Sequence, residues 1–472
     1  MAAFLDNCRF IPSTAGTTDW IFASAVGGCQ SPALAGAADG RKYKFIAISS
    51  DLTQWEIAEG VYTAATGTFA RTTVLYNSSG TGVAPGQGGG GSKINFAATP
   101  NVAIVAVKED LISLDEANAF TAAQMAQARA NIGVTKRNYI VNGGMMVSQE
   151  NGSTAGTTSG YYPVDQWFMS SSASGTLSVS QVASLTPGGS PNRVRVTVTA
   201  ADTTVNAGDY LGLVQFIEGL RVADLKAGSA SAKTVTVQFG CKGPAGTYGV
   251  AIRNGNGSRS YISEFTISAG EANTDVVKSV TIPFDTTSTW ATDNTAGMIL
   301  NISLMVGSTY QTTAGSWAAG NFLGTSNQFN FEGTAGNVFE LFDVGLYEGV
   351  APPFQLPDYA SEVMTCRRYF ETSYAPGAIA TAVFAGACQG AAYAGAVTQF
   401  VWQTPFPTRK RVAPTVSVYS ANSGTVARLY DNTTGDRTAT VDNISDFSFR
   451  VSSALGTGTV NMYWHWVANA RM

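Results

Sequence analysis

The sequence predicts a mainly β protein with a small N-terminal β domain, a short helical linker, a jelly-roll-like β-sandwich and a small C-terminal β domain. Two observations predict it. Strand-length runs that alternate apolar and polar residues recur along the chain, and clusters of Gly, Ser, Thr, Asn and Pro separate them. Helical grammar is confined to two short stretches, FTAAQMAQARANIGV (120–134) and ASEVMTCRRYFE (360–371).

Residues 1–108 read as the first β domain. YKFIAISS, TQWEIAEGVY, ARTTVLYNSSG, KINFAA and NVAIVAVK are its strands, each bounded by turn residues. The loop GQGGGGSK places Gly86, Gly88 and Gly91 in a formal GxGxxG. That spacing cradles phosphate only between a strand and a helix, whereas here the strand KINF follows, so a hairpin loop is predicted.

Residues 109–137 form the linker. Thr121 and Gln124 have capping-box spacing, and Gly133 stands where a helix C-cap is expected. An isolated helix of this length is marginal in water. Met125 and Ile132 are seven residues apart with Ala128 between them, a heptad-like stripe through which copies of the helix could pack around an axis. Packing on its own domain is the other use of such a stripe.

Residues 138–350 predict the sandwich. Val194, Val196 and Val198 alternate with polar partners, as do Val235, Val237 and Phe239, then Val280, Ile282 and Phe284, then Leu300, Ile302, Leu304 and Val306. Period-2 patterning of this kind gives strands with one buried face. About ten strands without intervening helices favour two packed sheets. No fixed-period repeat suggests a parallel β-helix. APPFQLPDY (351–359) is a Pro-rich break, and residues 351–472 then carry an exit helix and the last set of strands.

Composition excludes several classes. Charged residues are 13% of the 472, and the net charge is −4, which lacks the basic face that nucleic-acid binding needs. No apolar run is long enough to span a bilayer, and MAAFLDNCRFIPS lacks the basic and apolar regions of a signal peptide. Five scattered cysteines (Cys8, Cys29, Cys241, Cys366, Cys388) without a CxxC argue against a zinc site or a disulfide framework, although Cys8 and Cys29 fall in one domain. The lone His465, in MYWHWV, reads as a packed residue. No cofactor or metal is expected.

Several separated stretches resemble tailed-bacteriophage fibre proteins. LTQWEIAEGVYT with ARTTVL downstream is similar to their virion-attachment module, and FTAAQMAQARANIGV to the linker helix of fibres that trimerise. NYIVNGGMMVSQENG with YYPVDQWFM, and LFDVGLYEGVAPPFQLPDYASEVMTCRRYFE, resemble the opening and the end of a β-sandwich common in phage tail proteins. FPTRKRVAPTVSV resembles the start of a distal tip domain. The resemblance implies a homotrimeric fibre in the virion, docked by its first domain on tail, baseplate or neck proteins. Its distal β domains would bind host surface polysaccharide or lipopolysaccharide. A structural appendage such as a collar whisker, and a glycan-depolymerising tailspike, are the alternatives.

Candidate site residues follow from residue type. Aromatic faces on turn-rich segments suit sugar rings, which singles out Tyr161, Tyr162, Trp290, Tyr310 and Trp317. The basic run Arg409, Lys410 and Arg411 could pair with acidic glycan groups at a free tip. Glycoside hydrolysis needs two carboxylates at a defined separation. Asp165, Glu218, Glu264, Glu332, Glu340 and Asp343 offer no pair by spacing, and strand parity puts Glu340 and Asp343 on opposite faces. A non-enzymatic binding protein is therefore expected.

Overall fold

A computed structural model describes residues 4–80, 91–107, 110, 128, 137–377, 383–394, 398–455 and 458–472, and the counts below refer to these. Contacts divide the chain into two units, residues 1–127 and 128–472. Met125 and Ile132 lie outside the described residues, and Ala128 is helical.

The first unit is one sheet of seven antiparallel strands: β1 (Arg9–Pro12), β2 (Trp20–Ala25), β3 (Lys42–Ile48), β4 (Trp55–Thr63), β5 (Thr68–Phe69), β6 (Thr73–Asn77) and β7 (Asn101–Ile104), in the order β3-β7-β1-β2-β5-β4-β6. Alternation along β4 turns Ala58 and Tyr62 into a core with Phe10, Trp20, Tyr43, Phe45, Phe69 and Phe96. The same alternation buries Glu56. Arg71 answers that charge: its Nε donates to Glu56 Oε1 at 2.8 Å, its other nitrogens reach the carbonyls of Gly16, Thr18 and Ile94, and its guanidinium lies 4.3 Å from the Trp20 ring centre. Of the glycine-rich loop, Gly91 bridges Val74 and residues 81–90 lie outside the described set.

In the second unit the sandwich has eleven strands: β8 (Phe168–Ser171), β9 (Thr176–Ala183), β10 (Asn192–Ala200), β11 (Tyr210–Glu218), β12 (Val235–Lys242), β13 (Gly246–Asn254), β14 (Arg259–Ile267), β15 (Val276–Ile282), β16 (Ala296–Val306), β17 (Trp317–Ala319) and β18 (Val338–Glu348). Five form the sheet β15-β12-β18-β10-β9 and six the sheet β17-β14-β13-β16-β11-β8. The predicted alternations supply the core between them, including Val194, Val196, Val237, Phe239, Leu300 and Ile302. One departs: the register of β16 shifts against β11, so Met305 joins Leu304 in the core in place of Val306.

A second bulge corrects the parity of Glu340 and Asp343. The register of β12 against β18 shifts at Gln238/Gly240, and Asp343 takes a left-handed φ of 50°. Core contacts run Phe339, Leu341, Val344, Leu346, so both carboxylates face outward on the same side of β18. Glu340 pairs with Arg193 and Arg195, while Asp343 accepts from Thr186 Oγ1 and Gly188 N, each at 2.8 Å.

The exit helix spans Tyr359–Arg367 with Asp358 as its N-cap, its side chain accepting from Ser361 N at 2.9 Å. Beyond it come β19 (Phe370–Thr372), β20 (Cys388–Ala394), β21 (Gln399–Pro405), β22 (Thr415–Ser420), β23 (Arg428–Asp431), β24 (Gly435–Thr438), β25 (Thr440–Asp442), β26 (Ser448–Ala454) and β27 (Gly458–Asn469). The long β27 pairs with β19, β20, β22 and β23, and β21-β26-β25 form a separate small sheet. His465 is fully buried: Nε2 donates to Val383 O at 2.8 Å, and Nδ1 accepts from Ser373 Oγ, whose oxygen takes the Trp466 amide. All five cysteines are free thiols.

Candidate functional site

The six-stranded sheet packs one face into the core; on its other face Val214, Ala251, Ile299, Asn301 and Ser303 are also buried, while Phe168, Tyr210, Phe216 and Arg253 are half-buried, and the outward residues follow from which alternate positions reach the core. Leu211, Leu213 and Ile217 point in from β11, Leu300 and Ile302 from β16, Tyr248, Val250 and Ile252 from β13. The positions between them point out. Register aligns Phe216 with Ile299, Ile299 with Arg253, and Arg253 with Ser260. At the usual strand spacing, Phe216 and Arg253 stand about 10 Å apart in one cross-strand row. One row along, Phe168 lies opposite Val214, and its ring stacks on Phe216 with centres 5.7 Å apart and planes 6° from parallel. Tyr162 extends the line, 5.3 Å from Phe168. Tyr210, also outward on β11, meets Tyr310 edge to face at 5.3 Å. Phe168, Phe216, Tyr210, Tyr310 and Arg253 are all half-buried.

The segment 320–328 borders this strip. Ser260 Oγ donates to Gly320 O and Ser303 Oγ to Leu323 O, both at 2.6 Å, which lays the segment across β14, β13 and β16. Gly249 permits it: a Cβ there would stand 3.2 Å from Leu323 O. The segment brings amides to the strip. Asn321 Oδ1 accepts from Arg253 Nη1, and Gln328 keeps both side-chain polar atoms buried without a partner. Glu264 is turned to Thr325 and Asn327. Arg253 Nε is also buried without a partner, and burial pulls the guanidinium down to about 10, partly offset by the Tyr210 phenol. Stacked apolar rings flanked by amides and a cation can hold the apolar face of a sugar ring and bond its rim.

The residues singled out by sequence scatter. Tyr310, through Tyr210, and Tyr162, through Phe168, reach the strip. Tyr161 does not: its ring packs against Gly156 and its hydroxyl donates to Thr154 O at 2.7 Å. Trp290 is core, packed with Phe284 and Trp317. Trp317, half-buried at the edge strand, donates from Nε1 to Pro283 O at 2.8 Å. The expected basic patch is not one. Lys410 is buried against Glu371 and donates to Arg367 O at 2.6 Å. Arg411 bonds the carbonyls of Ala470, Asn294 and Arg471, tying the C-terminal strands to the sandwich. Only Arg409 of the three is exposed, and it pairs with Asp446. Sequence reasoning missed Phe168, Phe216, Tyr210 and Arg253, because it searched turns. The alternation Tyr248, Val250, Ile252 already implies that Arg253 leaves β13 on the other face.

The carboxylates are mostly engaged. Asp165 accepts from Gln149 N at 2.9 Å, and burial lifts it to about 6. Glu218 takes Arg368 and the Tyr369 hydroxyl. Glu332 is fully buried, and burial, with Asp202 nearby, lifts it to about 7. Among the described residues no three His, Cys, Asp or Glu side chains converge as metal ligands, and no helix is long and apolar enough to cross a membrane.

No family model and no curated protein matches the chain. Among solved structures, an arabinose-bound GH51 α-L-arabinofuranosidase is similar at TM-score 0.25 and 11% identity over 48% of this chain and 30% of that one. The enzymatically active domain of bacteriophage CBA120 tailspike protein 4 gives 0.25 and 12% over 45% and 21%. A family 61 carbohydrate-binding module in complex with β-1,4-galactotriose gives 0.24 and 14% over 45% and 99%. The chain thus spans under a third of the first two proteins. Similarities this weak identify neither a family nor a ligand.

Proposed function

We propose that this chain is a homotrimeric phage fibre protein that docks on the virion through residues 1–108 and binds a host surface glycan through the outer face of its six-stranded sheet. The observation that carries the binding half is the strip itself, in which Phe168, Phe216, Tyr210 and Tyr310 are half-buried on the same side of the sheet as Arg253 and the Asn321 amide. The docking half and the trimer rest on the resemblance of LTQWEIAEGVYT and FTAAQMAQARANIGV to phage fibre segments. Several copies per particle multiply weak individual contacts.

The test compares the full chain with Phe216→Ala and Arg409→Ala for binding to host cells. Losing one stacking ring costs roughly 0.5–1.5 kcal/mol, about two- to tenfold in affinity. The expected result is a weakened Phe216→Ala and an unchanged Arg409→Ala. The reverse pattern moves the site to the C-terminal strands and overturns the proposal.

A further inference from the structure

Arg253 contrasts with Arg193, Lys410 and Arg411 of the second unit. Arg193 meets Asp275 and Glu340, and Lys410 meets Glu371. Arg411 has carbonyls for its nitrogens. Arg253 has, among the described residues, no carboxylate partner and one neutral acceptor, the Asn321 side-chain oxygen. Of the five N–H groups of a guanidinium, one on Nη1 is used. The outward carboxylates of this sheet do not help: Glu264 is turned to Thr325 and Asn327, and Glu218 to Arg368 and Tyr369. A partly desolvated cation without a counter-charge is costly to hold. Its cost falls when an anion arrives, and a guanidinium fork is matched to a carboxylate.

Resting on the saccharide reading of this strip, we infer that its ligand is an anionic glycan, one whose uronate or ulosonate carboxylate meets the Nη end of Arg253 while a sugar ring lies on Phe216. The row geometry sets the spacing. Arg253 and Phe216 lie on either side of Ile299, itself buried, so one residue of the glycan supplies the charge and its neighbour the apolar face. A neutral glycan could stack on Phe216 and would leave Arg253 as it is.

The full chain is tested against an array of bacterial surface polysaccharides, neutral and acidic, with each acidic polymer also presented after carbodiimide reduction of its carboxylates. The inference expects binding to carboxylate-bearing polymers and its loss on reduction. Arg253→Gln weakens binding roughly tenfold or more, the scale of hydrogen bonds to a charged group. Arg253→Lys keeps part of the affinity, because charge remains while the fork is lost, and added salt weakens wild-type binding more than Arg253→Gln binding. Circular dichroism of both variants checks that the fold is retained. Neutral or reduced polymers bound as well as acidic ones, with Arg253→Gln unchanged and Phe216→Ala impaired, would overturn the anionic class and leave the strip as a glycan site. Binding to no polymer would overturn both.

Discussion

Glu332 shows what burial does to one side chain. Its carboxyl sits well above its usual range, chiefly because water has been removed and secondarily because Asp202 is close. A carboxyl whose folded value lies above its unfolded one holds a proton that the unfolded chain has released, so stability falls as pH rises from about 4.5 to about 7 and levels off above. Glu332→Gln, always neutral, is expected to raise the melting temperature at pH 8 and leave it nearly unchanged at pH 4.5. An equal shift at both pH values would contradict this. Sequence could not expose Glu332, since a Glu at the end of the strand-like NQFNFEG reads as a solvated or hydrogen-bonded carboxylate. Lys410 misled for the same reason: charge in a turn is ordinarily solvated, and its burial depends on Glu371, thirty-nine residues earlier.

At the scale of elements, alternation was a sound guide to faces and a poor one where a bulge intervenes. The core positions of β10, β12 and β15 are those the sequence names. β16 and β18 each carry an added residue, and parity fails beyond it. Neither bulge has a glycine at its turning residue: Asp343 takes the left-handed conformation itself and is held there by bonds to Thr186 and Gly188. Asp343→Ala removes the acceptor of both and strains an alanine at positive φ, so a loss of about 2–3 kcal/mol in urea unfolding is expected. No change would show that the bulge stands without them. In the first unit β4 brings Glu56 into the core, where Arg71 is its counter-charge. Arg71→Ala leaves that charge buried and unpaired, with an expected loss of about 3–5 kcal/mol. Glu56 and Arg71 were unremarkable in sequence because the ion pair joins residues fifteen apart across a loop. The strip of the sandwich was half legible: outward residues could be assigned by parity, but which strands lie side by side could not.

For the whole molecule, composition and patterning conveyed a β-rich chain whose first β domain, residues 1–108, is separate from the β domains beyond the linker, and the structure places a complete hydrophobic cluster in residues 10–102 and others beyond 128. Deleting residues 1–108 is therefore expected to leave a folded fragment that no longer joins virions, and incorporation of that fragment would place the anchor elsewhere. Mass measurement in dilute buffer is expected to give a trimer, because Met125 and Ile132 form a stripe too short to hold a lone helix. The central claim is that the outer face of the six-stranded sheet holds the glycan. Hydrogen–deuterium exchange of the full chain with and without host surface polysaccharide tests it most directly. Protection concentrated in residues 210–218, 249–254 and 320–328 is the expected result, and protection confined to residues 371–472 would contradict it.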